Sequence, residues 1–123
     1  MGIETISTYR GDDTFQSADD VINFMRTAAS ENNDVWISGE QPYPCIAVCI
    51  NGEYAAINFF QNHTGEMWLS YNDKNQKVVT FMAGGDEWSP DVDAIIALND
   101  VFSCIREFLD TLERPSWIQW QKL

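Results

Sequence analysis

Basic residues are scarce in this chain. Seven Lys and Arg and one His stand against nineteen Asp and Glu, a formal net charge of -12 on 123 residues. That shortage excludes nucleic acid as a direct ligand, because a phosphate backbone is held by a basic patch. Histidine is limiting too: a Ser-His-Asp or Cys-His arrangement would have to use His63, which lies in the turn sequence Asn62-His63-Thr64-Gly65 and reads as an exposed turn residue. The cysteines are Cys45, Cys49 and Cys104. Cys45 and Cys49 fall in an apolar, strand-like stretch, where four residues span about 13 Å, beyond the reach of a disulfide or a shared metal. One His and three such cysteines make no metal-ligand set of recognised spacing, so no metal and no cofactor are expected. Three buried, reduced thiols suit the cytoplasm. No apolar run has the length of a membrane span, and the opening Met-Gly-Ile-Glu-Thr-Ile lacks the basic and apolar regions of a signal peptide, so no membrane partner is expected.

What the chain does have is a core. Apolar residues make up 45% of it, with five Trp, seven Phe and four Tyr, which argues for one folded domain over 1–123 in spite of the charge. Residues 3–9 read as a first strand. Ser17 reads as an N-cap, with Asp20 completing a capping box. Val21, Ile22, Met25, Ala28 and Ala29 then recur at helical spacing, predicting a helix over 18–30 that Asn32, Asn33 and Asp34 break. Strands follow at 35–38 and 43–50. Asn51-Gly52 is the strongest hairpin signal, since both residues tolerate positive φ, and 53–60 returns. Further strands are expected at 66–71, at 77–82 pairing back on it, and at 92–98, with Gly84-Gly85 as a bend. Asn99 is the expected N-cap of a second helix, whose stripe is Val101, Ile105, Phe108 and Leu112 and which Pro115 stops. Residues 117–121 alternate as a last strand. The fold class is α+β: an antiparallel β-sheet meander with two helices packed on it.

Motifs for chemistry are few. Gly84-Gly85-Asp86-Glu87 matches four letters of a diguanylate cyclase signature, but the chain is too short and no basic residues lie nearby to hold GTP phosphates; a glycine bend displaying two acids and Trp88 is the better reading. The carboxylate pairs Asp12-Asp13, Asp19-Asp20, Asp86-Glu87 and Asp91/Asp93 are so many that none is selected as an acid/base pair, as a glycosidase would require. No catalytic residue is assigned. Five Trp exceed what a core of this size needs, so one or two are expected at a surface, where Trp and Tyr anchor interfaces.

The run YPCIAVCINGEYAAINFF over residues 43–60 joins an aromatic-Pro entry, an apolar strand, a short turn and a strand with small then aromatic residues. With Trp68-Leu69-Ser70, the Gly84-Gly85-Asp86-Glu87 bend, the closing helix, and the Arg114-Pro115, Ile118, Trp120, Leu123 ending, it resembles the first-described family of immunity proteins in bacterial polymorphic toxin systems. The resemblance covers residues 41–123 well and the first forty in element order alone. It implies a small cytoplasmic α+β protein, not an enzyme, that binds one cognate toxin. Members of that family neutralise several toxin types, deaminases and nucleases among them, so the target is not inherited with the fold.

The charge suits that role. A toxin acting on nucleic acid has a basic substrate groove, and a strongly negative inhibitor is steered toward it. The expected toxin-binding surface comprises Glu66, Trp68, Tyr71, Asp73, Asp86, Glu87, Trp88 and Asp91, with Trp68, Tyr71 and Trp88 as anchors ringed by carboxylates. Trp68 and Tyr71 share a strand face only if a bulge intervenes. The Asp12-Asp13 loop and the acidic helix face at Glu107 and Asp110 compete for the role. A monomer or weak homodimer is expected. The rival readings are a carbohydrate-binding or hydrolase-type domain using surface Trp and carboxylates, and a self-associating scaffold.

Overall fold

The hydrophobic spacing of the sequence becomes one antiparallel sheet with both helices on the same face. The computed structural model describes residues 4–8, 11–15, 17–28, 33–39, 41–83 and 85–123. The elements in chain order are β1 (Glu4–Thr8), β2 (Gly11–Phe15), α1 (Ala18–Ala28), β3 (Asn33–Ser38), β4 (Cys45–Asn51), β5 (Tyr54–Phe60), β6 (Met67–Tyr71), β7 (Phe81–Ala83), β8 (Asp86–Trp88), a 3-10 turn (Val92–Ala94), β9 (Ile96–Ala97), α2 (Leu98–Thr111) and β10 (Gln119–Lys122). The main sheet runs β10-β6-β5-β4-β3-β1-β2, with β9 paired to β5, and β7–β8 form a separate hairpin. The class is therefore α+β, as the sequence predicts.

Period-2 alternation assigns the two faces. Val35, Ile37, Ile46, Val48, Ile50, Ala55, Ile57 and Phe59 point toward the helices, where Val21, Ile22 and Met25 of α1 and Val101, Phe102, Cys104, Ile105 and Phe108 of α2 meet them. Phe59 sits among rings, with centroids 5.7 Å from Trp68 and 6.3 Å from Phe108 and Trp120. The opposite face also carries small apolar residues. Cys49 and Ala56 there are covered by Val79, Phe81 and Ile95, which form a second, smaller core.

That second core explains the departures from expectation. Residues 77–82 do not pair back on β6. They cross the open face so that Val79 and Phe81 bury Cys49 and Ala56, and β7 pairs with β8 instead. The edge of β6 is taken by β10, with Trp120 opposite Ser70. The expected strand over 92–98 is a 3-10 turn followed by two strand residues paired with Tyr54 and Ala55. That pairing leads straight into α2, because Leu98 N–H donates to Glu53 O at 2.9 Å. Its N-cap is thus Ala97, not Asn99, and Leu112 in the left-handed region (φ 53°) ends it. In the β4–β5 hairpin the loop is Gly52-Glu53: Gly52 takes positive φ (64°), and Asn51 belongs to the strand. Ser17 does cap α1, its Oγ accepting Asp20 N–H at 3.2 Å. Asp12 and Asp13 lie in β2, opposite Ser7 and Ile6, rather than in a loop. Ile3, Tyr9, Ala29, Asn32 and Gly84 lie outside the described residues.

One buried hydroxyl joins these parts. β5 changes partner along one edge, from β6 at Asn58–Phe60 to β9 at Tyr54 and Ala55. In the gap, Ile57 N–H donates to Ser70 Oγ at 3.1 Å, and that hydroxyl donates to Ala94 O at 2.7 Å. Ser70 is fully buried, so both groups would otherwise lack water as well as a partner. Ser70→Ala is expected to destabilise the fold by about 1–3 kcal/mol, the cost of buried polar groups left unsatisfied. Denaturant unfolding measures this, and an unchanged midpoint would refute it.

Candidate functional site

The open face is only half covered by the β7–β8 hairpin, and the remainder is a groove. Its floor is Ala47 and Cys49 of β4 with Asn58 and Phe60 of β5. One wall is Asp34 and Trp36 of β3; the other is Ala83, Asp86, Glu87 and Trp88 of the hairpin, enclosing about 380 Å³. Alternation puts Asp34 and Trp36 here because Val35 and Ile37 point into the helix-side core. The register aligns Trp36 with Ala47 and Ala47 with Asn58, so the floor is continuous across three strands.

The aromatic side chains of the groove are held rigidly. Trp36 stacks on Phe60, centroids 5.2 Å apart and planes 13° apart, and its Nε1–H donates to Asp34 Oδ2 at 3.0 Å. It is still 40% exposed. Trp88 is half-buried and leans on Phe81 of the second core at 6.2 Å. Asp86 and Glu87 are exposed beside it, following Gly85 with φ 88°. Among the described residues the lining holds three carboxylates, three aromatic rings and no Lys, Arg or His.

Four of the six described cations lie over rings outside the groove. Arg114 Cζ and Lys122 Nζ lie 4.8 and 5.6 Å from the Trp68 ring. Arg26 Cζ covers Phe102 at 4.6 Å, and Lys77 Nζ covers Tyr54 at 4.5 Å. Arg106 pairs with Asp19, both exposed. Such contacts contribute about 0.5–1 kcal/mol at exposed sites.

Of the eight residues expected at the surface, the structure brings Asp86, Glu87 and Trp88 together. Trp68 lies on the helix side against Phe59, beside two cations rather than within a ring of carboxylates. Alternation along β6 puts it on the face opposite Leu69 and Tyr71. Tyr71 is half-buried at the end of β6, opposite Gln119. Glu66 is exposed in the turn before β6, Asp73 in the turn after it, and Asp91 before the 3-10 turn. None of these four lines the groove. On the competing helix face, Glu107 accepts Ser116 N–H at 2.6 Å, and Asp110 is exposed. Asp34, Trp36 and Phe60 are the residues sequence reasoning missed. Their signal was strand alternation: Trp36 sits between Val35 and Ile37, Asp34 precedes Val35 and Phe60 follows Phe59, all of which point into the core.

Two other cavities are less open to a partner. One of about 660 Å³ is bordered by Arg26, Tyr54, Asn72, Asn75 and Phe102. Its polar groups are engaged: Asn72 Nδ2 donates to Ile95 O at 3.1 Å and Asn75 Nδ2 to Val92 O at 2.8 Å. The other, about 530 Å³, surrounds the cation-capped Trp68. Among the described residues, no His, Cys, Asp and Glu cluster is arranged to hold a metal ion, and no helix is long and apolar enough to cross a membrane. His63 is exposed in its turn, 6.5 Å from the Tyr43 ring.

Comparison with known proteins gives one family. The family model described as Immunity protein Imm1 matches residues 10–122. No curated protein matches the chain.

The groove's one thiol, Cys49, is a poor nucleophile: burial, with Asp34 nearby, pushes it up from 9.0 to about 12. Burial likewise raises Cys45 to about 11 and Cys104 to about 12. The folded protein thus retains thiol protons that the unfolded chain releases near its ordinary value. Their contribution to stability is full below the unfolded value and is lost as pH rises toward the folded one. Thermal stability should fall between pH 9 and 12, and Cys49→Ala should flatten that slope. All three thiols should resist iodoacetamide in the native protein and react in denaturant. Labelling of native Cys49 at neutral pH would contradict this.

Proposed function

Because the chain belongs to the Imm1 family of immunity proteins, its partner is a cognate toxin, and we propose that it binds that toxin through the acidic aromatic groove of its open sheet face. The toxin in this reading acts on nucleic acid, as a nuclease or a deaminase, and is met in the producing cell's cytoplasm. A single observation carries the proposal: Asp34, Asp86 and Glu87 line one groove with Trp36, Phe60 and Trp88, and the described lining residues include no cation.

The physics divides the work between charge and rings. The net charge of -12 steers the protein toward a basic substrate groove and raises the association rate. Affinity comes from a few desolvated anchors, and Trp is enriched among them. Trp36 and Trp88 are pre-organised by Phe60 and Phe81, so little rotamer freedom is lost on binding. Occupying the toxin's substrate groove excludes nucleic acid without any chemistry by the immunity protein. The same net charge opposes self-association, which favours a monomer.

Co-expression with the toxin domain encoded next to it should restore growth. Asp86→Lys with Glu87→Lys should slow association about tenfold at low salt and flatten its salt dependence. Trp36→Ala should weaken binding roughly 30-fold, the loss of about 2 kcal/mol at an anchor. Stopped-flow and calorimetry report these quantities. Unchanged rate, slope and affinity in both variants would move the interface off this groove.

A further inference from the structure

We infer that the toxin adds an extended, basic strand to the open edge of β8, pairing its backbone with the N–H and C=O of Glu87. This rests on the reading of the groove as the toxin-binding surface and specifies how the partner engages the hairpin wall of that groove.

The register of the hairpin sets the edge. Ala83 faces Asp86 across two intervening residues, Met82 faces Glu87, and Phe81 faces Trp88. A two-residue loop is closed by a hydrogen-bonded pair, and bonded and non-bonded pairs alternate along an antiparallel ladder. Ala83–Asp86 and Phe81–Trp88 are therefore the bonded pairs, and Glu87 turns its N–H and C=O away from β7. Among the described residues β8 pairs with β7 alone, so this donor and acceptor form an open edge. The edge is preformed. Thr80 Oγ1 and Ser89 Oγ, 2.8 Å apart, close the base of the hairpin, and Asn51 Nδ2 ties it to β4 through Thr80 O at 2.9 Å. Trp88 packs on Phe81. A strand added here meets a backbone already ordered, so little freedom is lost on this side of the interface.

Side chains then select the occupant. An open edge is a template for any strand unless charge forbids the pairing. Asp86 and Glu87 are both exposed. Laid antiparallel on a second copy's β8, Glu87 would face Glu87, and like charges directly opposite each other are destabilising. The same carboxylates favour a strand that carries Lys or Arg, because opposite charges across a strand pair attract. Main-chain bonds would hold the segment whatever its sequence, while the two carboxylates and Trp88 would choose among segments. The open edge of β10 is different: it carries Lys122, the side chain most used to guard an edge. β8 is thus closed to its own kind and open to a basic extended segment of the toxin.

The test uses the full-length protein labelled with 15N and the toxin domain encoded next to it. The Glu87 amide proton should exchange rapidly in the free protein and about 100-fold more slowly in the complex. Glu87→Ala removes the carboxylate and keeps the N–H, whereas Glu87→Pro removes both, at a strand edge that tolerates proline. The proline variant should bind about five- to tenfold more weakly than the alanine variant, the loss of one backbone hydrogen bond. The Trp88 indole N–H resonance reports whether the hairpin survives proline. An ester in place of the Asp86–Glu87 peptide bond deletes the same N–H without fixing φ, and should weaken binding to a similar extent. Unslowed exchange at Glu87, or equal binding with and without that N–H, would overturn strand addition. If the Trp36 and Trp88 indole resonances still shift on binding in that case, the groove remains the interface and only the strand pairing falls. If neither resonance shifts, the groove falls with it.

Discussion

The hydroxyl of Ser70 holds the place where the sheet changes partner. β5 cannot be flanked along its whole edge by β6, because the chain must also bring β9 to Tyr54 and Ala55 before α2 begins. Ser70 bridges the gap by accepting from Ile57 N–H and donating to Ala94 O. Its neighbours extend the tie: Asn72 and Asn75 donate to the carbonyls of Ile95 and Val92. That fixes the 92–95 segment, and Ile95 is one of the residues on which the second core is built. The β7–β8 hairpin rests on that core, and the hairpin is one wall of the groove. A hydroxyl on the strand next to the sheet's edge thus bears, through four contacts, on the shape of the opposite face.

Double-sided burial of β4 and β5 is the second constraint. β4 is buried at six consecutive positions, so each face needs cover. Two helices seal one face. The hairpin seals only part of the other, and what remains exposed is the strip from Trp36 to Phe60. Charge follows the same division. Arg114, Lys122 and Arg26 cover rings of the helix-side core, and the described residues that line the groove are acidic, aromatic or neutral. The negative field is therefore concentrated next to rigid aromatic surface, a combination suited to fast capture and firm holding of a basic partner.

Local patterns were legible where one principle acted alone. The α1 and α2 stripes, the Ser17 cap and the β4–β5 hairpin follow from periodicity and turn chemistry. What was not legible depended on competition between distant segments. Residues 77–82 alternate well enough to be a strand beside β6, yet Val79 and Phe81 gain more by covering Cys49 and Ala56, and β10 takes the edge. Asn99 is a good cap by type, but the bond from Leu98 N–H to Glu53 O starts the helix earlier. Gly11–Phe15 carries two Asp, a poor β composition, and is a strand through its pairing with β1. For the site, sequence adjacency linked Trp68 to the Asp86-Glu87-Trp88 bend, whereas alternation puts Trp68 on the helix side. Trp36, 52 residues before Trp88 and in the region of weakest resemblance, is the partner the fold supplies.

The central claim is that the open sheet face, and not the helix face or the Trp68 edge, meets the toxin. The five tryptophans are distributed well for testing it: Trp36 and Trp88 line the groove, while Trp68, Trp117 and Trp120 lie outside it. Hydroxyl-radical footprinting of the protein alone and bound to its toxin domain would read all five side chains at once. The account predicts that oxidation of Trp36 and Trp88 is suppressed in the complex while Trp117, 60% exposed in the free protein, keeps its rate. Protection of Trp117 and Trp68 with Trp36 still reactive would contradict it.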